Sequence, residues 1–121
     1  MSIKVVVLYP YSKDQEAFEK AYMEEHIPLV TKSLTHMTKA VYTRVLMSPS
    51  GSAPFCRIAE LHFPSLETLQ ADFSTAEAQA LNAHALSIST GGIPVALICE
   101  EETVNFVQLV KEQVLSNGRL E

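Results

Sequence analysis

The sequence lacks most of the features that announce a function. It holds only two cysteines, Cys56 and Cys99, far apart and with no CxxC pair. A redox motif or thiolate metal site is therefore disfavoured, and both read as buried apolar thiols. Its four histidines show no HxH, HxxxH or HExxH spacing, so no metal is expected. Gly91-Gly92 lacks the GxGxxG and Walker patterns, which leaves no loop to cradle a nucleotide phosphate. Ser33, Ser87 and Ser89 have no nucleophile-elbow context. Lysine and arginine number 9 against 14 acidic residues, a net charge of −5. That balance argues against nucleic acid or an anionic membrane as partner, since both need basic surface. No apolar run approaches the roughly 20 residues of a membrane span. The apolar start, Ile3-Lys4-Val5-Val6-Val7-Leu8, runs into Tyr9-Pro10-Tyr11 rather than a small-residue cleavage site. It reads as a strand and not as a signal peptide, and a cytoplasmic protein is expected.

What remains is ordinary globular sequence. The 121 residues are 47% hydrophobic and 19% charged, enough for one domain with a real core. Residues 3–9 are β-branched and continuous, the signature of a central strand buried on both faces. Asp14 is a helix N-cap, and Ala17, Phe18, Ala21 and Tyr22 recur at helical spacing after it. Residues 38–47 predict a second strand. A turn follows over 48–54, then a third strand over Phe55–Phe63. Pro64-Ser65-Leu66-Glu67 starts a second helix that breaks at Ser74-Thr75, with Thr75 capping its second part. Gly91-Gly92 turns into a fourth strand over 93–100, and the tail from 102 reads as a helix ending near Asn117-Gly118.

The order β-α-β-β-α-β is that of an α+β, ferredoxin-like unit with a four-stranded antiparallel sheet ordered 4-1-3-2. Helices cover one face of such a sheet. The other face here also carries apolar side chains, Val6 and Leu8 among them. An apolar face of that size calls for a partner, most simply an identical subunit related by a two-fold axis. Strands three and four both flank strand one, about 9.5 Å apart. Cys56 and Cys99 are thus too distant to pair within one subunit.

Tyr22-Met23-Glu24-Glu25-His26-Ile27-Pro28-Leu29 is the stretch with chemistry in it. Pro28 has no N–H and pushes Ile27 out of α geometry, so the helix should stop or kink at His26-Ile27. His26 follows Tyr22 by one turn and Phe18 by two, which aims it inward, towards the sheet. A lone histidine on an apolar face is more often a buried residue satisfied by a carbonyl, or here by Glu25, than an acid/base. The functional reading is a general acid/base working near neutral pH, with Tyr22 or a strand tyrosine as second donor. Tyr9, Tyr11 and Tyr42 are candidates to line an aromatic pocket, although strand tyrosines are usually packing. Glu60 and His62 share a strand face with Cys56 and Ile58, where Glu60 is placed to orient His62. His36 falls in a loop, and His84 lies on the second helix facing either way.

These pieces resemble the EthD family of dimeric α+β barrel proteins. The likeness rests on the first strand, on Phe18 and Tyr22 leading to His26-Ile27-Pro28-Leu29, on Phe55-Cys56-Arg57-Ile58-Ala59-Glu60-Leu61-His62-Phe63, and on Thr90-Gly91-Gly92. It covers about residues 2–101, which makes 1–101 an EthD-like domain and 102–121 a C-terminal extension packing on the domain or on the dimer partner. The resemblance implies a homodimer joined through the open sheet faces and a cavity between sheet and helices. It also implies a family linked to ether degradation without a settled activity, among related barrels that include monooxygenases, cyclases and haem proteins. Carried onto this chain, it marks His26 as the catalytic position, shaped by Tyr22 and Pro28. His62 stands where related sequences often carry a large aromatic. Two main readings follow, and a third, haem binding through an axial histidine, has no feature of the sequence in its favour. One is a cofactor-free enzyme performing proton transfer, cyclisation or oxygenation on a small aromatic or ketide-like molecule. Its acid/base is His26, and Tyr22, Tyr42 and His62 contact substrate. The other is a non-catalytic dimer that binds a small hydrophobic ligand.

Overall fold

A computed structural model describes residues 2–106. The elements run β1 (Ser2–Pro10), α1 (Gln15–Ala21), a π-helical turn (Tyr22–His26), α2 (Ile27–Ser33), β2 (Lys39–Arg44), β3 (Phe55–Phe63), α3 (Leu66–Phe73), α4 (Ala76–Ile88) and β4 (Val95–Glu101). The sheet order is β2-β3-β1-β4, and every neighbouring pair is antiparallel. This is the expected ferredoxin-like α+β arrangement. The helix expected over 102–121 falls largely beyond residue 106 and lies outside the described residues.

Local chemistry explains the boundaries. The Asp14 carboxylate accepts from the Ala17 N–H at the start of α1. Ser65 and Thr68 form a reciprocal capping box on α3, and Thr75 caps α4 through the Ala78 N–H. The long helix thus breaks at Ser74-Thr75 as its sequence indicates. Strand β4 begins at Val95 rather than 93, just after Pro94, which cannot donate to the ladder. Strand β2 ends at Arg44, earlier than its alternation suggested.

Alternation along β1 sends Ile3, Val5 and Tyr9 into the helix-covered core, with Ala59, Leu61 and Phe63 beside them from β3 and Val30, Leu34, Leu69 and Leu81 above. Lys4, Val6 and Leu8 take the opposite, open face. The ladder sets them beside His62, Glu60 and Ile58 on one side and Cys99, Leu97 and Val95 on the other. Cys56 departs from the pattern. The register shifts between Tyr9 and Pro10, whose partners are Arg57 and Phe55. Cys56 is the extra residue of that bulge and is buried with Tyr9, Phe18 and Tyr22. It therefore does not share a face with Ile58, Glu60 and His62. Both cysteines are free.

Candidate functional site

Tyr22, Met23, Glu24, Glu25 and His26 form one wide helical turn, closed by the Ile27 N–H donating to the Tyr22 carbonyl. The helix does not stop here, since α1, the π-helical turn and α2 follow one another without a break. Ile27 keeps α geometry at φ −58 and ψ −46, contrary to the usual restriction before proline. The widened turn accommodates Pro28 at the start of α2, where a missing N–H costs little. Phe18, Tyr22 and His26 remain on one face. Their rings stack in succession, with centroids 5.4 and 5.8 Å apart.

His26 is 4% exposed. Its Nε2 lies 3.0 Å from the Tyr9 hydroxyl, and its Nδ1 lies 2.9 Å from Nδ1 of His84 on α4. His84 Nε2 in turn lies 3.2 Å from a Glu25 carboxylate oxygen. Burial, and secondarily the neighbouring His84, push the His26 imidazole down from its ordinary value to about 4. The imidazole is thus neutral at pH 7. Burial also holds the Tyr9 hydroxyl well above the usual phenol range, with Tyr42 adding to the effect.

Tyr9 and His26 form one wall of a cavity of about 430 Å³ between the sheet and the helices. Val7, Tyr42 and Ala59 line its sheet side, and Leu81, Asn82 and Leu86 of α4 face them. Among the described residues, no lysine, arginine, aspartate or glutamate lines it. The buried Tyr42 hydroxyl has no hydrogen-bond partner among the described residues, and burial raises its pKa. The chamber is largely apolar, and its polar groups are the phenol–imidazole pair, the Tyr42 hydroxyl and the Asn82 carboxamide. Among the described residues, no group of three or more His, Cys, Asp or Glu side chains is placed to hold a metal ion.

The expected residues divide. His26 and Tyr42 line the cavity. Tyr22 is fully buried behind His26, stacked on it and covered by the Arg57 guanidinium 5.2 Å from its ring centre. Among the described residues its hydroxyl has no partner, and the residue is not in the cavity wall. His62 is not brought to this site. It pairs in register with Lys4 and Lys39, while its neighbour Leu61 enters the core, so the sheet separates it from the cavity. His36 is held by the buried Asp72, through ring and backbone contacts of 2.6 and 2.8 Å. Tyr9 and His84 complete the site. Tyr9 was one of three tyrosines named as pocket candidates, with nothing to single it out, and nothing local marked His84.

Comparison with known proteins gives consistent relatives. The family model described as EthD domain matches residues 11–87. An uncharacterised 11.0 kDa protein from the thcB-thcC intergenic region of Rhodococcus erythropolis is 28% identical over 102 residues, covering 84% of this chain and 96% of that protein. The crystal structure of an EthD family protein from Bacillus halodurans is 29% identical, with a TM-score of 0.78, covering 84% of this chain and all of that one. A dimeric ferredoxin-like protein of unknown function from Jannaschia has a TM-score of 0.64 at 10% identity, covering 84% and 100% of the two chains. That last likeness is one of fold alone.

Proposed function

The chain belongs to the EthD family, and from that premise we propose that its helix-side cavity binds a small, uncharged, hydrophobic molecule and moves a proton on it without a cofactor, with His26 as the acid/base. The observation that carries this reading is the Tyr9–His26 pair, 3.0 Å apart on the wall of a largely apolar cavity. A buried phenol and a neutral imidazole in contact form an acid and a base with little water to compete. The free Tyr42 hydroxyl supplies a donor for a ligand carbonyl or developing enolate. Enolisable aromatic or ketide-like carbonyl compounds fit these demands, and a cyclisation or oxygenation would begin with the same proton removal. Ether-derived compounds of similar size and polarity fall within the class. Tyr22 acts by fixing the His26 ring through stacking rather than by touching substrate. We further propose that the chain works as a homodimer joined through the open sheet face, as the dimeric Jannaschia protein suggests. Free thiols suit a reducing compartment such as the cytoplasm.

Two probes test the site. Fluorescent 2-naphthol, an analogue of the enol of 2-tetralone, should bind saturably, and Leu86→Trp at the cavity wall should abolish that binding. Solvent deuterium should enter bound 2-tetralone faster than in buffer. His26→Ala should lower that rate by roughly a hundredfold, the scale of a lost general base. Binding without accelerated exchange would favour the second reading, a non-catalytic carrier. Unchanged binding in Leu86→Trp would sink the cavity as the site.

A further inference from the structure

The second nitrogen of His26 carries the chemistry further. It meets neither a backbone carbonyl nor a carboxylate, but the Nδ1 of a second histidine, 58 residues away on α4. The two imidazoles lie nearly parallel, at 10°, with centroids 5.2 Å apart. His84 then reaches Glu25. Exposure rises along this row. His26 is buried, the His84 side chain is 20% exposed and the Glu25 side chain is 64% exposed.

Hydrogen-bond logic orients the row when both rings are neutral. The Glu25 carboxylate only accepts, so His84 donates from Nε2–H and keeps a bare Nδ1. That nitrogen accepts from His26 Nδ1–H, which leaves His26 Nε2 bare to accept from the Tyr9 O–H. All three bonds therefore point from the cavity towards solvent. A proton added to His84 would reverse its contact with His26 and, with it, the Tyr9 contact.

We propose that His84 and Glu25 complete a proton path from the cavity to the surface, in which His84 is a positioning residue that sets the His26 tautomer and passes its proton on. The inference rests on the acid–base reading of the cavity. In the forward step a ligand C–H or O–H bond breaks and its electron pair stays on the ligand. The proton binds the Tyr9 oxygen as the Tyr9 proton moves to His26 Nε2. The His26 Nδ1 proton moves to His84 Nδ1, and the His84 Nε2 proton binds the Glu25 carboxylate. One negative charge has passed from Glu25 to the ligand, and both rings end neutral with exchanged tautomers. Returning a proton to the ligand at another atom runs the row backwards and resets it. The path removes a difficulty in assigning His26 as a solitary base. Burial disfavours its imidazolium, so a proton held there would be costly, and the row never requires that charge.

Imidazole tautomers are read by long-range proton–nitrogen NMR at mildly alkaline pH, and this readout needs no substrate. His26 should appear as the Nδ1–H form and His84 as the Nε2–H form. A His26 found mainly as Nε2–H overturns the proposal. Glu25→Gln and His84→Gln each keep an acceptor oxygen, and the first lies at an exposed position that cannot threaten folding. In both, 2-naphthol affinity should hold while deuterium entry into 2-tetralone falls about tenfold or more. Unchanged exchange in either variant overturns the path. Absence of exchange in the unaltered protein would instead defeat the acid–base reading, and the tautomers would still judge the row.

Discussion

His26 links site chemistry to stability. Its imidazole is held near 4 in the folded chain against about 6.5 when unfolded, so the unfolded state binds more protons between these values. Stability is then intact above the unfolded value and is lost as pH falls through the window. The loss should be about 2 kcal/mol between pH 7 and 5, read by urea denaturation. His26→Phe should flatten that slope. Asp72 and Glu19 are also shifted, but downward from ordinary carboxylate values by His36 and Arg57 contacts that outweigh their burial. Their contributions begin to be lost only as pH falls to their ordinary values of 3.8 and 4.5, below the pH 7 to 5 range of this measurement. A slope between pH 7 and 5 that persists in His26→Phe would remove His26 as its source.

At the scale of elements, the turn between Ile88 and β4 is the least forgiving piece of the cavity. A Cβ on Gly91 would stand 1.6 Å from the Tyr11 carbonyl oxygen, where only backbone is available to yield. Glycine is required there for close approach between the loop after β1 and the turn before β4. Ile93 and Pro94, next along the chain, form part of the cavity wall. Gly91→Ala should therefore cost on the order of 3 kcal/mol, the upper range for forced overpacking, and weaken 2-naphthol binding in the same sample. Thermal melting together with a fluorescence titration checks both. A normal melting temperature with normal affinity would mean that the two loops are not in contact. The π-helical turn shows a related economy. One widened turn admits Pro28 without sacrificing the Phe18–Tyr22–His26 stack.

For the whole molecule, the open sheet face is the outstanding feature. Val95 is 40% exposed and Leu97 47%, beside partly buried Val6 and Leu8 on the same face. Lys4 sits at one end of it, bonded to Glu60 at 2.6 Å and to Glu101 at 2.8 Å. A central apolar strip bordered by paired charges has the composition of an interface core and its rim. Sedimentation should give twice the chain mass at micromolar concentration. Leu97→Glu should reduce it to a single chain, because an unpaired carboxylate at the centre of the face cannot be desolvated cheaply. A wild-type monomer would overturn the proposed homodimer.

The sequence by itself determined the element order, the helix caps at Asp14, Ser65 and Thr75, the inward direction of His26 and the separation of the two cysteines. These are local matters. Side-chain period and capping chemistry act within a few residues, and they say which face of an element is apolar. Only the tertiary structure decided what that face meets. His26 finds Tyr9 because β1 lies under the π turn, and His84 because α4 docks beside it, a choice made by packing across 58 residues. A single bulge turned Cys56 into the core, and strand register sent His62 to the opposite face, away from the cavity. Local pattern specifies direction within an element, whereas a site needs several directions to converge, and convergence belongs to the packed chain.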